Sequence, residues 1–263
     1  MTEFKIKPLS SISAKGLDRL QNTQCLLDES CEDPDGILVR STKLDEEILK
    51  SSLKAISRAG VGVNNIPLGA CTEKGVVVFN TPGANANAVK ELVLAGLILS
   101  SRKVLSSIDF VKSLDHFEQI EDLESFLEES KKKFKGRELS GATLGVVGLG
   151  DIGSQVAKMG VALDMKVLGF DPALSVEAAW RLPSQVEPVD SIENLFAKSD
   201  YITLHIPATE STKELINKQL LSFVKNASLL NFARLEVIDV QAVLDSLEAN
   251  VLVNFVTDFP TPK

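Results

Sequence analysis

No stretch of this 263-residue chain is apolar for long enough to span a bilayer, which takes about 20 residues; the longest run, Leu92 to Leu99, reads as a buried helix. Cysteine is scarce, and Cys25, Cys31 and Cys71 lack the paired spacing of a metal site, so no metal is expected. The opening Met1-Thr2-Glu3-Phe4-Lys5 has no apolar signal core, and the expectation is a reducing cytoplasm. Positive charge is also short. With 28 Lys and Arg against 36 Asp and Glu, the net charge is -8, whereas nucleic acid and anionic membranes both need clustered cations. Neither is expected as a partner. The one basic cluster, Lys131-Lys132-Lys133 with Lys135 and Arg137, follows the acidic stretch 118–129 and reads as a solvated helical face.

What is present is an ordinary globular composition, 44% hydrophobic and 24% charged, at a length that divides into two domains. In the first part, Phe4 to Pro8, Gly36 to Val39, Ala55 to Ser57 and Val76 to Phe79 are short apolar or β-branched runs separated by patterned helical stretches. From Asn85 to about Leu114 the pattern is helical, with Val89, Leu92, Val93, Gly96, Leu97 and Ser100 on one packing face. The segment 115–137 reads as surface helix and loop. Strands near Thr143, Lys166, Tyr201, Ser228 and Leu252 then alternate with helices, which implies a parallel sheet covered on both faces. The fold class is therefore α/β, with two Rossmann-like or flavodoxin-like parallel-sheet domains, 1–84 and 85–263, joined by a long helix near 85–114.

The strongest local signal is Val-Val-Gly-Leu-Gly-Asp-Ile-Gly at 146–153. Glycine is needed where a strand turns into a helix, where backbone approaches a pyrophosphate, and where that helix packs on its strand; Gly148, Gly150 and Gly153 have the spacing for these three roles. The flanking strands Thr143 to Val147 and Lys166 to Phe170 and the helix Ile152 to Leu163 stand where the motif requires them, so Asp151 and Ile152 open a helix facing a dinucleotide. Asp171-Pro172 ends the second strand, and a carboxylate there accepts hydrogen bonds from both ribose hydroxyls while repelling a 2′-phosphate. NAD is favoured over NADP. Ligands in such sheets sit beyond the carboxyl ends of the strands, here Gly148, Asp171, His205-Ile206-Pro207, Asn231 to Arg234, and Thr257-Asp258.

In order along the chain, Ile37 to Ser41, Arg58 to Ile66, Phe79 to Leu92, Gly148 to Gly153, Tyr201 to Pro207, Leu229 to Arg234 and Thr257 to Pro260 resemble the D-isomer-specific 2-hydroxyacid dehydrogenases. The version Asn85-Ala86-Asn87-Ala88-Val89-Lys90-Glu91-Leu92 is similar to a bacterial branch that oxidises 3-phosphoglycerate. This resemblance implies hydride transfer from C2 of that substrate to NAD, giving 3-phosphohydroxypyruvate, the first step of serine synthesis, in a homodimer formed through the nucleotide-binding half. It implies that Arg234 grips the substrate carboxylate and polarises the C2 oxygen, a role suited to the donor fork of a guanidinium. It implies that Arg40 and Ser41 lie near the phosphate and the N–H groups around Val61 and Gly62 near the carboxylate. Asp258 matches the acceptor for the nicotinamide amide, while Pro207, Thr212, His205 and Ala233 match positions lining the cofactor. His116 reads as a surface residue.

The family pairs its arginine with a glutamate and a later histidine that takes the hydroxyl proton. Neither is visible in this sequence, and the expectation is a C-terminally shortened member lacking the last family elements. Lys90 and Lys263 are internal alternatives for the proton, though each also reads as an ordinary surface or phosphate-facing lysine. Leu235 stands where the family has glycine after the arginine, which costs about 1 kcal/mol or more if φ is positive there. Two other readings stay open: a non-catalytic NAD-binding protein like the corepressors of the superfamily, and a dehydrogenase for another acid such as glycerate or lactate.

Overall fold

A computed structural model describes residues 3–10, 12–21, 23–114 and 122–259, and the chain divides into two compact units, Met1–Asn85 and Ala86–Lys263. The first unit runs β1 (Phe4–Leu9), α1 (Ala14–Gln21), β2 (Cys25–Leu27), β3 (Gly36–Val39), β4 (Ala55–Arg58), α2 (Leu68–Glu73) and β5 (Val77–Phe79). Its five strands are all parallel in the order β2-β1-β3-β4-β5. The core forms on one face, where Ile37 and Ile56 are in register and pack with Val39, Leu44, Leu53 and Cys71. Burying each such branched side chain contributes about 1.5–3 kcal/mol. Burial also pushes the Cys71 thiol pKa up, as expected of an inert core cysteine.

The second unit runs α3 (Ala86–Ser101), α4 (Val104–Lys112), α5 (Leu123–Lys131), β6 (Thr143–Val147), α6 (Asp151–Ala162), β7 (Lys166–Phe170), α7 (Val176–Ala179), β8 (Val186–Pro188), α8 (Ile192–Lys198), β9 (Tyr201–Leu204), α9 (Lys218–Leu221), β10 (Ala227–Asn231), α10 (Val240–Glu248) and β11 (Leu252–Thr257). Its six strands are also all parallel, in the order β11-β10-β9-β6-β7-β8. The chain leaves β6 in one direction along the sheet and returns to its other side at β9. That reversal opens a crevice at the carboxyl ends of β6 and β9. Cores fill both faces: Leu195, Phe196, Ile202, Leu204 and Leu229 on one, Val93, Leu97, Val146, Val156 and Tyr201 on the other.

Three expectations need correction. The single helix over 85–114 is two helices, because the Ser101 carbonyl accepts from the Arg137 N–H at 2.9 Å instead of continuing the helical ladder. No proline or glycine marks that break. Leu92 to Leu99 is not wholly buried: Val93, Gly96 and Leu97 face the sheet, but Leu92, Ile98 and Leu99 are each more than two-fifths exposed. Leu92 thus leaves the packing face assigned to it. Finally, Leu235 has no positive φ and opens a 3-10 turn, Leu235–Val237, so it carries no left-handed strain. Among the described residues no helix is long and apolar enough to cross a membrane, and no group of acids, histidines and cysteines could hold a metal.

Candidate functional site

The glycines of the β6–α6 turn divide three physical roles among them. Gly148 has φ +88°, its N–H donates to the Phe170 carbonyl at 2.8 Å, and a Cβ there would meet the His205 carbonyl oxygen at 2.6 Å. Gly153 lies on the buried side of α6, where a Cβ would strike the Gly148 carbonyl oxygen. Gly150 differs. Its φ is -66° and nothing in the protein lies within 4 Å of a would-be Cβ, so neither conformation nor packing demands glycine. It caps α6 without a side chain, leaving the first helical N–H groups, from Asp151, Ile152 and Gly153, without a capping side-chain acceptor. Open space before bare N–H donors at a helix's positive end fits a pyrophosphate.

Asp171 is fixed beside this loop. One carboxylate oxygen accepts from Leu149 N–H at 2.8 Å and the other from Ala173 N–H at 2.9 Å, with Pro172 rigidifying the turn. A carboxylate has about four acceptor sites, so lone pairs remain for a vicinal diol. Residues at the neighbouring strand ends complete the crevice. His205 follows β9, held by its N–H to Val147 O at 2.8 Å. Its Nε2 lies 2.9 Å from Thr203 Oγ1, its Nδ1 is buried without a partner, and burial lowers its pKa to about 4. The imidazole is therefore neutral at pH 7. Pro207 is exposed, and the Thr212 hydroxyl is spent inside the loop, donating to Pro207 O at 2.6 Å and accepting from Thr209 N–H at 2.8 Å.

After β10, Asn231 shapes the next loop: its side chain accepts from Ala233 N–H at 3.1 Å and donates to Arg234 O at 2.8 Å. The Arg234 guanidinium, half-buried, donates through Nη1 to Ala233 O at 2.7 Å, leaving its other donors available. Asp258 is exposed just past β11. Of the lysine alternatives, Lys90 donates to Asn87 Oδ1 at 2.5 Å on α3, while Lys263, like His116, falls outside the described residues.

In the first unit, Arg40 and Ser41 follow β3, while Val61 and Gly62 follow the neighbouring β4. Asn65 Nδ2 ties these loops together by donating to Thr42 O at 2.8 Å and Arg40 O at 3.4 Å. Arg58 Nε donates to Arg40 O at 3.2 Å, and Asn80 Nδ2 to Val61 O at 2.8 Å. Asn231 stood among the strand-end candidates of the sequence, whereas Asn65, Arg58 and Asn80 were given no role of their own. Asparagine beside glycine-rich turns was the available signal.

Residues 105–263 match the family described as D-isomer specific 2-hydroxyacid dehydrogenase, NAD binding domain. The chain belongs to this family. Its cofactor is NAD, and the cradle at Gly150 and the Asp171 carboxylate fit it. The chain is 38% identical over 224 residues to D-3-phosphoglycerate dehydrogenase of Methanocaldococcus jannaschii, covering 84% of this chain and 40% of that protein. It is 38% identical over 217 residues to hydroxypyruvate reductase of Thermotoga maritima, covering 81% of this chain and 65% of that protein. It thus spans less than two thirds of the length of these relatives. NAD+-bound 3-phosphoglycerate dehydrogenase of Entamoeba histolytica is similar in structure, with a TM-score of 0.74 and 28% identity, over 99% of this chain and 82% of that one.

Proposed function

We propose that the chain is the dehydrogenase portion of an NAD-dependent enzyme that interconverts 3-phosphoglycerate and 3-phosphohydroxypyruvate. The observation that carries this reading is the pairing, on one sheet, of a dinucleotide cradle with a partly free arginine: Gly150 and Asp171 for the cofactor, Arg234 for the substrate. When bound, NAD supplies a hydride acceptor. Asp171 would hold the adenosine ribose, the α6 N–H groups the pyrophosphate, and the loop containing His205, Pro207 and Thr212 the far wall. Asp258 would accept from the nicotinamide amide. Arg234 would clamp the carboxylate of the 2-hydroxy acid and stabilise charge developing on the C2 oxygen.

The first unit is read as the substrate domain, with Arg40 and Ser41 toward the phosphate and the N–H groups of Val61 and Gly62 toward the carboxylate. A homodimer is supported by the apolar surface that α3 and α4 leave exposed, Leu92, Ile98, Leu99, Leu105, Ile108 and Val111. The three free cysteines suit a reducing cytoplasm. A second reading, a non-phosphorylated 2-hydroxy acid, draws on the similarity to a hydroxypyruvate reductase.

The test is NADH consumption with 3-phosphohydroxypyruvate and with hydroxypyruvate, in the wild type and in Arg234→Ala. The reading predicts preference for the phosphorylated acid, and turnover about 100-fold or more lower in the variant with NADH binding retained. Equal rates with both acids would favour the second reading. Full turnover in Arg234→Ala would remove the arginine from the mechanism.

A further inference from the structure

Five non-glycine residues among those described have a positive φ, and three of them, Asp164, Asn226 and Asn250, are of types that adopt this conformation readily. Glu214 is held there by its N–H on the Glu236 carbonyl at 2.8 Å. Ser10 remains. At its φ of +72° glycine is the unstrained residue, and a side chain persists only where a contact of its own holds it. The hydroxyl is what serine has and glycine lacks. Ser10 directly follows Leu9 at the carboxyl end of β1, the strand that pairs with β3.

That hydroxyl reaches the loop after β3. Ser10 Oγ lies 2.5 Å from Thr42 Oγ1 and accepts from the Thr42 N–H at 3.2 Å. From the β4 side, Asn65 Nδ2 donates to Thr42 O at 2.8 Å and Arg58 Nε to Arg40 O at 3.2 Å. The segment Arg40-Ser41-Thr42 is thus clamped between its two neighbouring strands, and its clamp from β1 is the side chain of Ser10. Proton counting shows what the pair offers. One hydroxyl proton spans the Ser10–Thr42 contact, so the other hydroxyl keeps its proton for an outside acceptor, whichever of the two donates inward. Ser10, Arg40, Ser41 and Thr42 are all exposed, so this spare donor opens to solvent. Hydroxyl donors on one loop with a guanidinium suit an acceptor that carries several anionic oxygens.

We propose that Ser10 is a specificity-determining residue for the phosphate of the substrate: through Thr42 it positions the Arg40-Ser41-Thr42 loop and completes the loop's set of donors. The assignment rests on the reading of the first unit as the domain that receives a phosphorylated acid, and it adds to that reading a residue from a separate strand. Its effect falls on affinity and selectivity, with no part in hydride transfer. A neutral hydroxyl in place of the phosphate gains little from one more donor, because water offers the same bond; anionic oxygens form stronger, charge-assisted ones. Losing the Ser10–Thr42 pair therefore lowers discrimination and does not weaken both acids alike.

Calorimetric titrations with 3-phosphoglycerate and with glycerate test this without turnover. The wild type is expected to bind the phosphorylated acid at least about tenfold more tightly. Ser10→Gly relieves the backbone while deleting the hydroxyl, so its melting temperature is expected to hold while the preference falls roughly fivefold, through weaker binding of 3-phosphoglycerate alone. Thr42→Val, which keeps the shape and loses the hydroxyl, is expected to do the same, and Thr42→Ser to keep the wild-type preference. An undiminished preference in folded Ser10→Gly and Thr42→Val would overturn the assignment of Ser10 alone. So would an equal loss for both acids, or a fall in melting temperature without a change in preference, since either marks Ser10 as merely structural. A folded wild type that binds both acids equally, or neither, would overturn it together with the phosphorylated-substrate reading.

Discussion

A histidine held neutral inside the sheet links site geometry to stability. Unfolded, an imidazole titrates near 6.5; in the fold His205 does so at about 4, because burial disfavours the charged ring. As pH falls, the unfolded chain therefore takes the proton first. The stability tied to this residue is fully present above pH 6.5 and is lost between pH 6.5 and 4, by about 3 kcal/mol at most. Urea unfolding at pH 7 and pH 4.5 is expected to show the wild type losing about 2 kcal/mol more than His205→Asn, whose amide does not titrate. Equal losses would mean that the ring is hydrated. The burial of Nδ1 was not legible in the sequence, since it depends on the packing around the end of β9, whereas the Thr203 contact spans only two residues. The glycine spacing was legible, because strand-to-helix sterics act within a few residues. Asn231 and Asn65 lay between the two cases: their turns are local, but the loops that they hold are set by the sheet.

Elements were readable where their signal is periodic and long, and missed where pairing alone makes them. β2 and β8 have three residues each, sit at or near sheet margins, and β8 ends in Pro188, so neither carries a pattern of its own. The break between α3 and α4 arises from a tertiary contact, the Arg137 N–H on the Ser101 carbonyl, where the backbone of Gly136 also approaches so closely that a Cβ would meet that oxygen at 2.5 Å. Close helix approach recurs at Gly96, where a Cβ would lie 3.0 Å from Leu230 Cδ2. It is tightest where α6 meets β6. Gly153→Ala drives a methyl into the Gly148 carbonyl, a backbone atom that cannot turn aside, and is expected to destabilise the chain by about 2 kcal/mol. A denaturation midpoint equal to that of the wild type would show that α6 can move away from its strand.

For the molecule as a whole, two parallel sheets in two units, the family and the cofactor agree with a reading of strand order and one glycine motif. Substrate choice does not emerge at that level, because the hydride site is common to the family, and the similar proteins include both a phosphoglycerate dehydrogenase and a hydroxypyruvate reductase. On the proposed reading, specificity lies in loops such as Arg40 to Thr42, which the sheet positions but does not determine. The cofactor crevice is the central claim, and Gly150 tests it most directly because an alanine there fits the fold and collides only with what the crevice receives. The decisive measurement is an NADH titration of the wild type and Gly150→Ala, with melting curves for both. The account predicts saturable binding by the wild type and at least about tenfold weaker binding by the variant at an unchanged melting temperature. Equal affinity in the two proteins would place the pyrophosphate elsewhere, and no binding by a folded wild type would contradict the account outright.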